Sequence, residues 1–202
     1  KGRSNSRRHM LFDSVRGVQK RLISDDTNSE LTMTDGLSSF DSDGFTEGGN
    51  LNTGNSGETF VAWNWKAGGT AVSNSEGSLT CNVSANTDAG FSIVTWTATN
   101  DSGTLGHGLN SAPEMIIAKP LGSGTNWYVM HTPGGVVPAN NVLNLDGTTA
   151  KFNPGVNHFN DTYPTSTVFS YGGYLGDDLS NDDKVAYCFH SVEGYSKVGS
   201  YT

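Results

Sequence analysis

Phe91-Ser92-Ile93-Val94-Thr95-Trp96-Thr97 is rich in β-branched and aromatic side chains and carries no helix-period stripe, so it reads as a strand. Met115-Ile116-Ile117-Ala118 is a short continuous apolar run, fit for a strand covered on both faces. Trp127-Tyr128-Val129-Met130 and Val185-Ala186-Tyr187-Cys188-Phe189 follow the same logic. Phe60-Val61-Ala62-Trp63-Asn64-Trp65 alternates with period 2 and places Val61, Trp63 and Trp65 on one face. Turn clusters separate these runs, among them Asp43-Gly44, Gly68-Gly69, Gly122-Ser123-Gly124, Asp146-Gly147 and Gly172-Gly173. Many short strands with regular turn signals predict an all-β fold of antiparallel β-sandwich or jelly-roll-like modules, with little or no helix.

Composition agrees. Of 202 residues, Gly, Ser, Thr and Asn supply about 44%, while charged residues supply only 16%. There is no apolar run of about 18 residues to cross a membrane as a helix and no heptad pattern, so membrane insertion and coiled coils are not expected. Four Trp, nine Phe and seven Tyr argue against disorder. The net charge is −8, unevenly placed. Residues 1–21 hold seven of the twelve Lys and Arg with the single acid Asp13, which reads as a solvated linker. Residues 22–202 carry a net −14, which repels phosphate backbones and makes nucleic acid an unsuitable partner. The opening Lys1–Arg8 lacks the apolar segment of a signal peptide. The chain starts without Met and stops in a strand-like run, and so reads as a piece of a longer polypeptide.

Self-similarity suggests modules. Gly90–Thr97 recurs, with one insertion, as Gly194–Thr202, and Val61–Trp65 recurs as Val185–Phe189. The expected division is a leader with a partial β module over 1–86, a complete module over 87–193, and the first strand of a further repeat over 194–202.

A search for chemistry finds little. The five His show no HExxH or HxH spacing, and there is no CxxC, Walker A loop or GxSxG elbow. No catalytic residue and no cofactor are expected. Cys81 and Cys188 are expected as free, partly buried thiols. Asp177, Asp178, Asp182 and Asp183 cluster in one loop and form a weak Ca²⁺ candidate, with a solvated hairpin tip as the alternative. Trp63, Trp65 and Trp96 read as core residues of alternating strands. Trp127, after Gly124-Thr125-Asn126, and the Tyr171-Gly172-Gly173-Tyr174 pair are the candidates for stacking on carbohydrate, with a core role as the alternative.

Several runs, taken in order, carry a resemblance: Phe12-Asp13-Ser14-Val15-Arg16-Gly17; Ser39 to Phe45; Val61 to Gly69; Gly90 to Val94; Gly106-His107-Gly108-Leu109 with Ala112 to Ile117; Asn126 to His131; Pro164 to Ser170; and Val185 to Phe189 with Gly194 to Lys197. From about residue 9 onward the chain resembles a repeat domain of uncharacterised function found in large structural proteins of marine tailed phages, often near concanavalin- or laminin-G-like modules. The resemblance implies a non-enzymatic virion component: a tail fibre, tail appendage or capsid-surface decoration, serving host attachment or particle stabilisation. It implies other virion proteins and a host-surface glycan as partners, and a virion or extracellular location. A chain with few charges leaves sheet edges poorly protected, so a homo-oligomer is expected, a trimer being one form. The alternatives are a secreted carbohydrate-binding β-sandwich module and, behind it, a polysaccharide depolymerase.

Overall fold

The computed structural model describes residues 1–4, 6–49, 57–99, 101–133, 141–173, 175 and 181–201. Its centre is a seven-stranded antiparallel sheet in the order β12-β11-β10-β14-β8-β7-β6. These strands are β6 (Val72–Asn74), β7 (Cys81–Asn86), β8 (Phe91–Thr97), β10 (Met115–Pro120), β11 (Tyr128–His131), β12 (Leu143–Asn144) and β14 (Asp183–Phe189). The last of them in sequence is central: β14 pairs Tyr187 with Ile117 of β10 on one side and with Ile93 of β8 on the other. The runs predicted from β-branched and aromatic content are thus the middle of the sheet. They read as near-continuous apolar segments because both faces are covered.

Alternation sorts the side chains onto two cores. Val83, Val94, Trp96, Ile116, Ala118, Met130, Ala186 and Cys188 face one way and pack against Leu105, Phe169 and Tyr171. Those three come from a two-stranded ribbon, β9 (Gly103–Gly106) with β13 (Val168–Tyr171). Phe91, Ile93, Val185 and Tyr187 face the other way and pack against Trp127 and Leu22. Leu22 belongs to a small three-stranded sheet of β1 (Met10–Leu11), β2 (Lys20–Ile23) and β3 (Leu31–Thr32). A separate hairpin joins β4 (Leu37–Phe40) to β5 (Phe45–Glu47). The fold is therefore all-β, with antiparallel sheets packed in a sandwich-like arrangement. Burying Leu22 completely contributes roughly 2 kcal/mol, and ties the N-terminal strands to the sheet.

This packing bears on the expected division at 86/87. β7 ends at Asn86, and β8 begins at Phe91 and pairs with it in full register, so the two flank that boundary within one sheet. The turn between them closes through Gly90 at φ +62°, a conformation glycine adopts without a steric penalty. The paired copies also take different roles. Phe91–Thr97 is a central strand, whereas in the stretch from 194 onward the backbone pairing is an isolated bridge of Ser196 with Val192. Val185–Phe189 is in β14, whereas 61–65 lies outside any strand and is joined at Phe60 by a bridge to Gly2.

Candidate functional site

The N-terminal segment meets the sheet through a cluster of charges at the polar corner of the second face. Arg16, with a side chain only 4% exposed, lies at its centre. Its Nε donates to Asp13 Oδ2 at 2.5 Å, one terminal nitrogen to Glu30 Oε2 at 2.9 Å and Lys20 O at 3.2 Å, and the other to Tyr187 Oη at 3.3 Å. Tyr187 Oη in turn donates to Asp13 Oδ2 at 2.6 Å. Asp13 Oδ1 accepts from the amides of Val15 and Arg16, shaping the turn that presents the guanidinium. Lys20 Nζ closes the group on Glu30 Oε1 at 3.1 Å. Burial alone would pull the Arg16 guanidinium down, but the carboxylates of Asp13 and Glu30 outweigh it and hold Arg16 firmly charged. Burial, aided by Asp13, drives the Tyr187 phenol well above its ordinary range against the opposing pull of Arg16, so it stays a neutral donor.

Beside this cluster lies a cleft of about 500 Å³, lined by Arg16, Lys20, Glu30, Asn82, Thr95, Thr97 and Asp183 among others. A second cleft of about 470 Å³ shares Val15, Asn82 and Thr95 with it and continues along Gly69, Thr70 and Ala71. Asn82 of β7 and Thr95 of β8, partners across the ladder, contribute an amide and a hydroxyl to both. The cations beside them are already engaged with carboxylates inside the protein. The cluster is a clamp between segments far apart in sequence.

The residues predicted for carbohydrate stacking need correction. Trp127 is fully buried. Its Nε1 donates to Ile23 O at 2.9 Å and to Asp26 O at 3.2 Å, and its ring stacks on Tyr187 at 6.5 Å and 23°. Tyr171 is 1% exposed and meets Trp96 edge-on at 5.4 Å. A ring enclosed on both faces has no surface left for a sugar, so both are core residues. Tyr174 lies outside the described residues. The reverse correction applies to Trp63 and Trp65, expected in the core: they are 63% and 57% exposed. Trp65 rests its ring at 76° against Phe189, centroids 6.1 Å apart.

Of the acidic loop, the structure describes Asp182 and Asp183. Asp177 and Asp178 lie outside the described residues. Asp182 Oδ2 accepts from Lys184 Nζ at 3.0 Å, while Asp183 Oδ1 accepts from Thr97 Oγ1 at 2.7 Å across the β14–β8 ladder. Neighbouring residues at a strand start turn to different partners, which separates these two carboxylates. Among the described residues, no three His, Cys, Asp or Glu side chains converge to hold a metal ion. Cys81 and Cys188 are free and buried, and burial pushes their thiols up to about 11 and about 12.

The leader expected to be a solvated linker is paired instead. Arg7 makes a two-pronged contact with Glu58, Arg8 reaches Asp26 at 2.7 Å, and Arg16 is buried as above. Sequence reading missed Asp13, Arg16, Glu30 and Tyr187 as a group. The signal lay in Asp13 itself, the one acid in a basic stretch and three positions before Arg16.

Residues 1–202 match a family described as a domain of unknown function (DUF7483), and the chain belongs to that family. No match is found among curated proteins or among solved structures.

Proposed function

We propose that this chain is a non-enzymatic module of a tailed-phage particle, in a fibre, tail appendage or capsid-surface decoration, where it serves host attachment or particle stabilisation. The ordered motifs from Phe12 to Lys197 support this reading through their resemblance to repeat domains of phage structural proteins. The observation that carries it is mechanical. The middle strands of one sheet are buried on both faces, and the central one is pinned to the N-terminal segment by the Tyr187–Asp13 bond, between residues 174 positions apart. A body closed in this way resists local opening, as a load-bearing or displayed module must.

The charge pattern fits a saline setting. Exposed ion pairs are screened within about 8 Å at physiological salt, whereas a buried cluster such as that of Arg16 is screened much less. Few surface charges leave little to lose there. In this reading the module stands beside other virion proteins as a homo-oligomer, and its outer surface meets a host glycan.

The test is location. Gold-labelled antibody against the purified chain is expected to decorate purified phage particles at a fixed, symmetric position on tail or capsid. Label confined to the medium would favour a secreted binding module. Turnover of a host polysaccharide that is abolished by one Asp or Glu substitution would overturn the non-enzymatic reading.

A further inference from the structure

We infer that Trp63 and Trp65 form a stacking platform for a neutral polysaccharide chain. The inference rests on the attachment reading above for its biological setting, but its geometry stands apart from it. Four tryptophans divide cleanly: Trp96 and Trp127 are 4% and 0% exposed, Trp63 and Trp65 are 63% and 57% exposed. The exposed pair lies on a segment anchored at both ends. Upstream, Val61 N donates to Lys1 O at 2.9 Å and Phe60 bridges to Gly2. Downstream, Asn86 Nδ2 donates to Lys66 O at 3.0 Å and Ser84 Oγ to Gly69 O at 2.7 Å. Gly68 is pressed so closely on β7 that a Cβ there would lie 1.9 Å from Ala85 O. The contact with Phe189 fixes the tilt of the Trp65 ring. The indoles therefore face water from a held backbone, which lowers the ordering cost of receiving a ligand.

Chemistry selects the ligand. Cα atoms two positions apart lie within about 7 Å of each other, so the two exposed indoles leave one short stretch of backbone, close enough for one linear chain to meet both. Indole faces pack against the C–H surfaces of pyranose rings, and exposed Asn64 and Lys66 beside them are hydrogen-bonding partners for hydroxyls. The net −14 over residues 22–202 disfavours polyanions, including nucleic acid and acidic glycans. Area argues against a second copy of the chain. The two exposed indoles present on the order of 300 Å², whereas a stable protein interface needs about 800 Å² per partner.

The test is a fluorescence titration of the full chain with cellohexaose, xylohexaose, mannohexaose and laminarihexaose, with hexagalacturonate as the charged control. At least one neutral oligosaccharide is expected to shift emission to the blue saturably and to protect the exposed indoles from acrylamide, with hexagalacturonate inert. Trp63→Ala/Trp65→Ala is expected to weaken that binding tenfold or more while leaving the urea midpoint within error. Trp65→Phe, which keeps an aromatic ring against Phe189, is expected to retain part of it. Absence of binding to all four neutral probes, undiminished binding by the double variant, or wild-type indoles already shielded from acrylamide in a sedimenting oligomer would overturn the inference. Particle labelling with no glycan binding removes this inference alone. Glycan binding with no particle labelling removes the virion reading alone.

Discussion

Replacing Arg16 with Met keeps most of the side-chain volume and removes the charge from the centre of the clamp. Asp13, with a side chain 4% exposed, then retains only neutral donors: the Tyr187 hydroxyl and the two backbone amides. Glu30 keeps Lys20 at 3.1 Å and remains partly solvated, so the cost falls mainly on Asp13. Leaving one buried charge uncompensated costs about 3–5 kcal/mol, or a fall in Tm on the order of 10 °C for a domain of this size. Urea unfolding at about pH 8, followed by tryptophan fluorescence, measures the loss. Trp127, stacked on Tyr187, supplies a local reporter in near-ultraviolet circular dichroism. Asp13→Asn/Arg16→Met is expected to lie nearer wild type than the single variant at pH 8. A loss below about 1 kcal/mol would show that the cluster behaves as an exposed pair and refute the clamp.

Burial pulls the His158 imidazole down to about 4, where it packs edge-on to Tyr128 at 4.1 Å. It stays neutral when folded while the unfolded chain takes up a proton, so stability is lost as pH falls from about 6.5 to 4, by at most about 3 kcal/mol; denaturant midpoints of His158→Phe should be flatter across that window. Gly68→Ala sets a methyl group against the Ala85 carbonyl and should cost about 1–3 kcal/mol, read in the urea midpoint, with Trp63 and Trp65 emission altered because their downstream anchor moves. Native protein at about pH 8 should resist aromatic disulfide reagents at both Cys81 and Cys188, and both thiols should react after unfolding in denaturant.

The strands were legible where side-chain chemistry is local. Phe91–Thr97, Met115–Pro120 and Asp183–Phe189 are enriched in residues that fit a covered sheet, and no neighbour is needed to see it. The segment 60–65 carries the same alternation and is not in a strand, because pattern reports which faces differ, not what arrives to cover them. Trp127 follows a turn-like Gly124-Thr125-Asn126 and so resembles a surface ring; its indole N–H is satisfied by Ile23 and Asp26, about a hundred positions upstream. The Arg16 clamp was hidden for the same reason. Its partners Glu30 and Tyr187 are not neighbours in sequence, and a basic stretch taken alone looks like solvated chain.

The position of β14 has a cost in time. It is the last strand of its sheet to leave the ribosome, yet β8 and β10 both wait for it as their shared neighbour. Until residue 189 has been translated, the nascent polypeptide holds two apolar strands with no ladder between them, and Asp13 and Arg16 have no Tyr187 to close upon. Pairings of such long range form slowly, and the incomplete chain is vulnerable to wrong association in the interval. Truncation anywhere before β14 therefore splits the sheet down its middle rather than fraying one edge of it.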